Sequence, residues 1–250
     1  MSSYSHDKVV PYKDSEQTKK KQVAGMFDQI AFRYDFLNRF LSGGIDIYWR
    51  KRAIRELLPL KPEIVLDVAT GTGDMALMIH RYIKPQKIIG IDISEGMLSI
   101  GKEKVQKQML NEVIELQTGD SEAINFPEGS FDAVTVAFGV RNFEDLEKGL
   151  SEMQRVLKQG GKLVILEFSQ PKQIIFKGLY NLYMRVVTPG LGKWISKNRE
   201  AYQYLHSSVK AFPEGETFLH ILEKAGFTET TLKRLSLGIC TIYCGRKKTG

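Results

Sequence analysis

Between residues 61 and 169, short apolar runs alternate with amphipathic stretches. The runs ending near Asp67, Asp92, Leu116, Phe138 and Phe168 have the length and composition of buried strands. The stretches 74–82, 95–109 and 145–158 repeat apolar residues at spacings of three and four, which predicts helices between most of those strands. This alternation predicts an α/β fold with a parallel sheet covered on both faces. Upstream, Val23, Met26, Phe27 and Ile30 followed by Tyr34, Leu37, Phe40 and Leu41 predict a helix from Thr18 to about Leu41. Ser42-Gly43-Gly44 stops it, and a second helix is expected from about Tyr48 to Leu58. Gln159-Gly160-Gly161 reads as a tight turn before Lys162–Phe168, Phe218–Ala225 as a helix, and 229–235 with 239–245 as a closing hairpin. A single domain is expected, with a flexible tail at 1–16, a helical lid at 18–58 and a core at 61–169. A mostly helical insertion at 172–210 and closing elements at 211–247 complete it.

The segment Ile64–Asp74 holds the most informative chemistry. A buried strand ends at Asp67, breaks into a loop carrying Gly71 and Gly73, and continues into an apolar-periodic helix. That arrangement brings backbone close to a nucleotide-like ligand. The next predicted strand, Ile88–Ile91, ends in Asp92, placed to accept both hydroxyls of a ribose. The third is followed by Asp120 and Ser121, where Asp120 can accept from an adenine amino group. Gly71-Thr72-Gly73-Asp74-Met75-Ala76 fits G-x-G-x-x-A, which keeps a nicotinamide dinucleotide open. However, Asp67 and Asp74 bracket the loop. Negative charge there repels a pyrophosphate and attracts the ammonium and sulfonium of S-adenosyl-L-methionine. The Tyr-x-x-x-Lys pair of short-chain dehydrogenases is also missing from the middle of the chain.

Composition narrows the classes further. The 250 residues can bury a sizeable core without disulfides, and Cys240 and Cys244 read as reduced structural thiols. Four scattered histidines offer no metal site. No apolar run is long enough to span a bilayer, and Met1–Gln22 is polar, so a cytoplasmic protein is expected. The net charge of +7 is uneven. Residues 61–169 carry 12 Lys and Arg against 17 Asp and Glu, whereas the flanking segments are together basic by +12. Aromatic and aliphatic residues accompany the cations at 172–200, which favours the inner face of a membrane over nucleic acid as their partner. The apolar stretch 174–187 with its basic flanks could wrap a prenyl tail or lie on that surface.

Four patterns then carry a resemblance. They are Tyr34-Asp35-x-x-Asn38 with Leu41-Ser42-x-Gly44 and Trp49-Arg50; Asp67-Val68-Ala69-x-Gly71-Thr72-Gly73-Asp74; Gly139-x-Arg141-Asn142; and Arg155–Gly161 leading into Leu166-Glu167-Phe168-Ser169. From about residue 20 to 245 the chain closely resembles the C-methyltransferases of menaquinone and ubiquinone biosynthesis. The resemblance implies a class I S-adenosylmethionine-dependent methyltransferase fold, with a mostly parallel seven-stranded sheet, helices on both faces, an N-terminal helical lid and a helical insertion. It also implies cofactor contacts from Thr72, Asp92, Asp120 and Ser121. Ala137 stands where some members have serine, Ala69 where the broader pattern has glycine, and Gln159 where proline is usual.

The implied reaction methylates a ring carbon of a polyprenylated hydroquinone, demethylmenaquinol or alternatively a 2-polyprenyl-6-methoxy-benzoquinol. Losing a hydroxyl proton pushes charge onto the adjacent ring carbon, which can attack a sulfonium methyl without a metal. Arg141 is the first catalytic candidate, expected to face the cleft and stabilise a phenolate, with Asn142 beside it and Tyr34 nearby. A plain ion pair of Arg141 with Glu144 or Asp145 is the structural alternative. Asp35, Asn38, Trp49, Tyr202 and His206 are candidate substrate contacts, with lid packing the alternative for the first three. From other classes, an NAD(P)-dependent oxidoreductase and a noncatalytic lipid-binding module stay open. The sequence does not address oligomeric state.

Overall fold

The computed structural model describes residues 4–170 and 199–249, apart from the side chains of a few helical residues, Asn38 and Tyr202 among them. The expected insertion stretch 174–187 lies outside the described residues. Helices α1 (Lys19–Ser42) and α2 (Ile45–Arg55) come first. Strand β1 (Ile64–Val68), α3 (Asp74–Ile83), β2 (Lys87–Asp92), α4 (Glu95–Lys107), β3 (Ile114–Thr118), β4 (Phe131–Ala137), α5 (Leu146–Val156) and β5 (Leu157–Phe168) follow. Beyond the undescribed stretch come α6 (Arg199–Ala211), α7 (Glu216–Lys224), β6 (Phe227–Leu235) and β7 (Cys240–Lys247).

The seven strands run in the order β3-β2-β1-β4-β5-β7-β6. All neighbours are parallel except β7, which lies antiparallel between β5 and β6. Strand order reverses between β1 and β4, the place where open sheets of this kind hold ligands beyond their carboxyl ends. Alternation of side chains divides the core. Leu66, Val134 and Ile165 face α5 and α7 through Leu150, Met153 and Leu222. Val65, Ala133 and Val164 face α2, α3 and α4 through Ile54, Ile79 and Leu98.

Two expectations are corrected. Residues 4–12 are docked rather than a free tail: a short 3-10 helix, Ser5–Lys8, buries His6 completely. The Tyr4 hydroxyl donates to Glu147 at 2.6 Å, and the Lys19 ammonium donates to the His6 carbonyl at 2.8 Å. The polar composition concealed this, because only Tyr4, Val9 and Tyr12 pack against the hydrophobic clusters, beside a His6 ring set edge-on to Phe212. Second, Gln159-Gly160-Gly161 is not a separate turn but an irregularity within β5. Pairing with β4 jumps from Phe131–Leu157 to Ala133–Lys162, and Gly160 takes φ +72°. Among the described residues no α-helix stands between β3 and β4.

Two predictions arise here. Gly90, in the middle of β2, lets the glycine loop lie flat across the sheet. A Cβ added there would come within 2.5 Å of Leu116 Cδ2 and 2.8 Å of Thr70 Oγ1. Gly90→Ala is expected to destabilise by about 1–3 kcal/mol, the usual range for overpacking, measured as a urea midpoint shift; no shift would mean that the loop yields freely. The second concerns pH. Asp7 Oδ1 lies 3.2 Å from His6 Nε2 without hydrogen-bond geometry and Nδ1 has no partner among the described residues, while burial, aided by Lys19, pushes the imidazole from 6.5 down to about 3. Below pH 6.5 the unfolded segment therefore takes up a proton that the docked segment refuses. Stability is full above that pH and falls towards pH 3, at up to about 1.4 kcal/mol per unit. The wild-type melting temperature should fall more steeply between pH 7 and pH 5 than that of His6→Phe, and parallel slopes would refute the assignment.

Candidate active site

The loop after β1 is built on left-handed backbone: Ala69, Gly71 and Gly73 have φ of +53°, +57° and +77°. Asp67 holds it from beneath. Its carboxylate accepts from the hydroxyls of Thr70 and Thr135, each at 2.6 Å, and burial pushes its pKa up to about 6 against those bonds. Asp67 is 1 % exposed and does not line the cleft, so the expectation that it meets a cationic ligand is revised to one of loop anchoring. Gly71 does line the cleft. Gly73 begins α3 behind it, and Thr72 turns away to donate to Asp35 Oδ1 at 2.6 Å.

A cleft opens over the ends of β1, β2, β3 and β4. On one side stands Asp92, which accepts from the backbone N–H of Gly71 at 2.8 Å and of Ser94 at 2.9 Å. Burial raises its pKa, and the two amides pull it back. Deeper along the β3 edge are Asp120, Ser121 and Glu122. Glu122 also accepts from the N–H groups of Glu144 and Asp145, tying the loop after β3 to the start of α5. The charged residues of the lining are Asp92, Asp120, Glu122 and Glu144 against Lys20 alone, and Lys20 is already bonded to Asp120 at 2.6 Å and Glu122 at 2.9 Å. That set of carboxylate acceptors fits a ribose and a cationic methionine moiety and opposes a pyrophosphate.

Helix α1 forms the outer wall through Lys20, Val23, Phe27 and Tyr34. It is fastened to every strand-tip loop on that side. Lys20 reaches the loop after β3. Asp28 accepts from Ser94 Oγ at 2.6 Å and from the Gly96 N–H at 2.9 Å, capping α4 from a neighbouring helix. Asp35 holds Thr72 and pairs with Lys104 of α4, while Arg39 pairs with Asp74 at 2.9 Å. Asp35 thus belongs to the wall's fastening and is absent from the cleft lining.

The opposite wall follows β4. Phe138 adopts φ +61°, an uncommon conformation for a bulky residue, and stacks on Phe168 with centroids 4.5 Å apart. Trp49, expected near a substrate, is 3 % exposed, packs edge-on against both rings and donates to Ser236 Oγ at 2.8 Å. Ala137, Gly139 and Asn142 continue the lining.

Arg141 also differs from expectation. It is 2 % exposed, lies outside the cleft lining and pairs with neither Glu144 nor Asp145. Its guanidinium instead bonds Glu167 Oε1 at 2.7 Å and the Phe138 carbonyl at 2.5 Å. Glu167, 0 % exposed, further accepts from the N–H groups of Arg141 and Phe168. This knot fixes the turn that presents Asn142. Asn142 Oδ1 in turn accepts from the Tyr204 hydroxyl at 3.1 Å, and burial pushes that hydroxyl's pKa well up.

Tyr204 was not anticipated. The inward face of α6 is Ala201, Tyr204 and Ser208, spaced three and four apart, whereas His206 is exposed and the Tyr202 side chain lies outside the described residues. The apolar period running through Tyr204 to Phe212 was the available signal. Lys20, Asp28 and Glu122 had no comparable signal, since a charge on a helix or beside a strand tip reads as a solvated surface. The side chain of Asn38 is likewise outside the described residues. Among the described residues no group of His, Cys, Asp and Glu could hold a metal ion.

Comparison with known proteins accords with this geometry. Residues 15–247 match the model of the ubiE/COQ5 methyltransferase family. The demethylmenaquinone methyltransferase of Bacteroides fragilis is 48 % identical over 245 residues, covering 98 % of this chain and 100 % of that protein. The ubiquinone/menaquinone biosynthesis C-methyltransferase UbiE of Geobacter sulfurreducens is 45 % identical, covering 96 % of this chain and 93 % of that protein. A crystal structure of an S-adenosylmethionine-dependent methyltransferase from Thermotoga maritima shares the fold, with a TM-score of 0.62, 21 % identity and coverage of 90 % of this chain and 99 % of that one.

Proposed function

The chain belongs to the ubiE/COQ5 methyltransferase family, and on that premise we propose that it methylates a ring carbon of demethylmenaquinol, giving menaquinol. It is an S-adenosyl-L-methionine-dependent methyltransferase with the fold of that class. The observation that carries the substrate reading is the near-complete match to a demethylmenaquinone methyltransferase, joined to a cleft whose acids suit a cationic methyl donor. A second reading, methylation of a 2-polyprenyl-6-methoxy-benzoquinol, is favoured by the comparable identity to the Geobacter protein.

When bound, S-adenosyl-L-methionine supplies an electrophilic methyl on a sulfonium. Asp92 would take the ribose hydroxyls, Gly71 would give backbone room, and Asp120 with Ser121 would meet the adenine. Asp67, Thr72 and Gly73 would act on the cofactor through the loop they hold. The apolar walls contributed by Phe27, Tyr34, Phe138 and Phe143 would exclude water from the reacting carbon. Asn142, presented by the Arg141–Glu167 knot and bonded to Tyr204, is the polar group best placed to orient a quinol hydroxyl. Tyr34 faces the same cleft. Arg141 would act by positioning rather than by contact, because it is buried outside the cleft lining with its charge matched by Glu167, and there it holds the turn that carries Asn142.

The prenylated acceptor also argues for work at the inner membrane face. Among the described residues no helix is long and apolar enough to cross a bilayer, so surface attachment is the mode proposed.

Incubation of the purified protein with methyl-labelled cofactor and each quinol tests the reading. Label should enter demethylmenaquinol, with the benzoquinol a slower acceptor. Transfer only to the benzoquinol would favour the second reading, and transfer to neither would overturn both.

A further inference from the structure

Helix α2 is partly inside out. Its inward face buries Trp49, Ala53 and Ile54 together with an ion pair, Asp46–Arg50. Its outward face carries Ile45, Ile47 and Tyr48, which are 45 %, 40 % and 48 % exposed. Leu58 just beyond its end, and Tyr82 near the end of the adjoining α3, are exposed as well. Five of the eight large apolar side chains exposed among the described residues therefore gather on two neighbouring helices.

Cations are interleaved with them. Lys51, Arg52 and Arg55 follow on α2, and Arg81 and Lys84 flank Tyr82. The Lys51 ammonium lies 5.1 Å from the Tyr82 ring centroid and joins the two helices, while the Arg52 guanidinium lies 5.9 Å from that of Tyr48. The acids of residues 45–58 are committed elsewhere: Asp46 to Arg50, and Glu56 to Lys162 and Lys233. Among the described residues none of the five cations is in an ion pair.

We propose that this face of α2 and α3 is the surface by which the protein seats on an anionic lipid bilayer. A helix lying in the interface puts apolar side chains roughly 5–10 Å into the headgroup boundary, with cations at the level of the anionic lipids. Ringed aromatic side chains are at home at that depth. A second copy of the chain fits poorly, because a self-complementary contact would press the same five cations against each other. The choice of lipid over an acidic protein rests on the prenylated-quinol reading above. The geometry agrees with it. The same helix that faces outward with Tyr48 faces inward with Trp49, which packs on Phe138 at the cleft wall, so a tail in the bilayer and a ring in the cleft are one helix thickness apart.

The test is sedimentation of the full chain with vesicles of phosphatidylcholine alone or with added phosphatidylglycerol, at low and high salt. Wild type should sediment with the anionic vesicles and be released by salt. The Lys51→Gln/Arg52→Gln/Arg55→Gln variant should partition roughly a hundredfold more weakly, as three surface cations predict. Ile47→Asn/Tyr48→Asn should weaken binding at both salt levels. Wild type that stays in solution at low salt would overturn the proposal. So would a triple variant that sediments equally, or one whose only change is loss of a dimer on size exclusion. Transfer to a short-chain, water-soluble quinol should be equal in wild type and triple variant, while transfer to a long-chain quinol in vesicles should fall in the variant. If no quinol is methylated by either, the functional reading fails while sedimentation still decides the surface.

Discussion

Glu167→Ala is expected to lower stability by about 3–5 kcal/mol, the range for removing one member of a buried ion pair. The carboxylate is fully buried and meets Arg141 Nη1 at 2.7 Å, and it also accepts from two backbone amides. Alanine would leave the guanidinium in apolar surroundings with the Phe138 carbonyl as its one remaining partner from this knot, and both amides would lose their acceptor. Urea unfolding measures the loss, and a change under 1 kcal/mol would show that the pair is dispensable. Glu167→Leu combined with Arg141→Met separates folding from chemistry. With both charges gone, stability should return towards wild type, because the original pair paid a desolvation cost of its own. Methyl transfer should not return, since Asn142 would lose its fixed turn.

Asp92→Ala is expected to weaken S-adenosylmethionine binding by about 1.5–3 kcal/mol, roughly ten- to more than a hundredfold, the scale for hydrogen bonds to a charged group. The carboxylate has a second task, because it holds the Gly71 and Ser94 amides. Part of the loss therefore reflects a loosened loop. Asp92→Asn keeps an acceptor for one amide while removing the charge, so it should fall between wild type and alanine. Calorimetric titration reads both, and alanine affinity equal to wild type would sink the ribose assignment.

Much of this was legible in the chain. Strand ends expected near Asp67, Asp92, Leu116, Phe138 and Phe168 agree with the observed ends at Val68, Asp92, Thr118, Ala137 and Phe168. Buried parallel strands leave a continuous apolar run, and the acids that close such runs stand out. What failed to show was tertiary pairing. Arg141 has acids within four residues, yet its partner lies 26 positions away on the next strand, where only assembly of the sheet brings them together. The docking of residues 4–12 was hidden for a related reason. It depends on a buried histidine, on the scattered apolar residues Tyr4, Val9 and Tyr12, and on a few polar contacts, which composition reads as tail. In β5, Gly160 and Gly161 marked an irregularity correctly but not its kind, since a turn and a strand distortion ask for the same left-handed backbone.

The fastening of α1 has a kinetic corollary. Lys20, Asp28, Asp35 and Arg39 grip three different loops from one rigid rod. Because the four contacts sit on one helix, loosening one is expected to loosen the others: Asp28→Ala should speed exchange of the Thr72 and Asp74 loop amides as well as that of Gly96, and hydrogen exchange changed at Gly96 alone would show that the grips act separately.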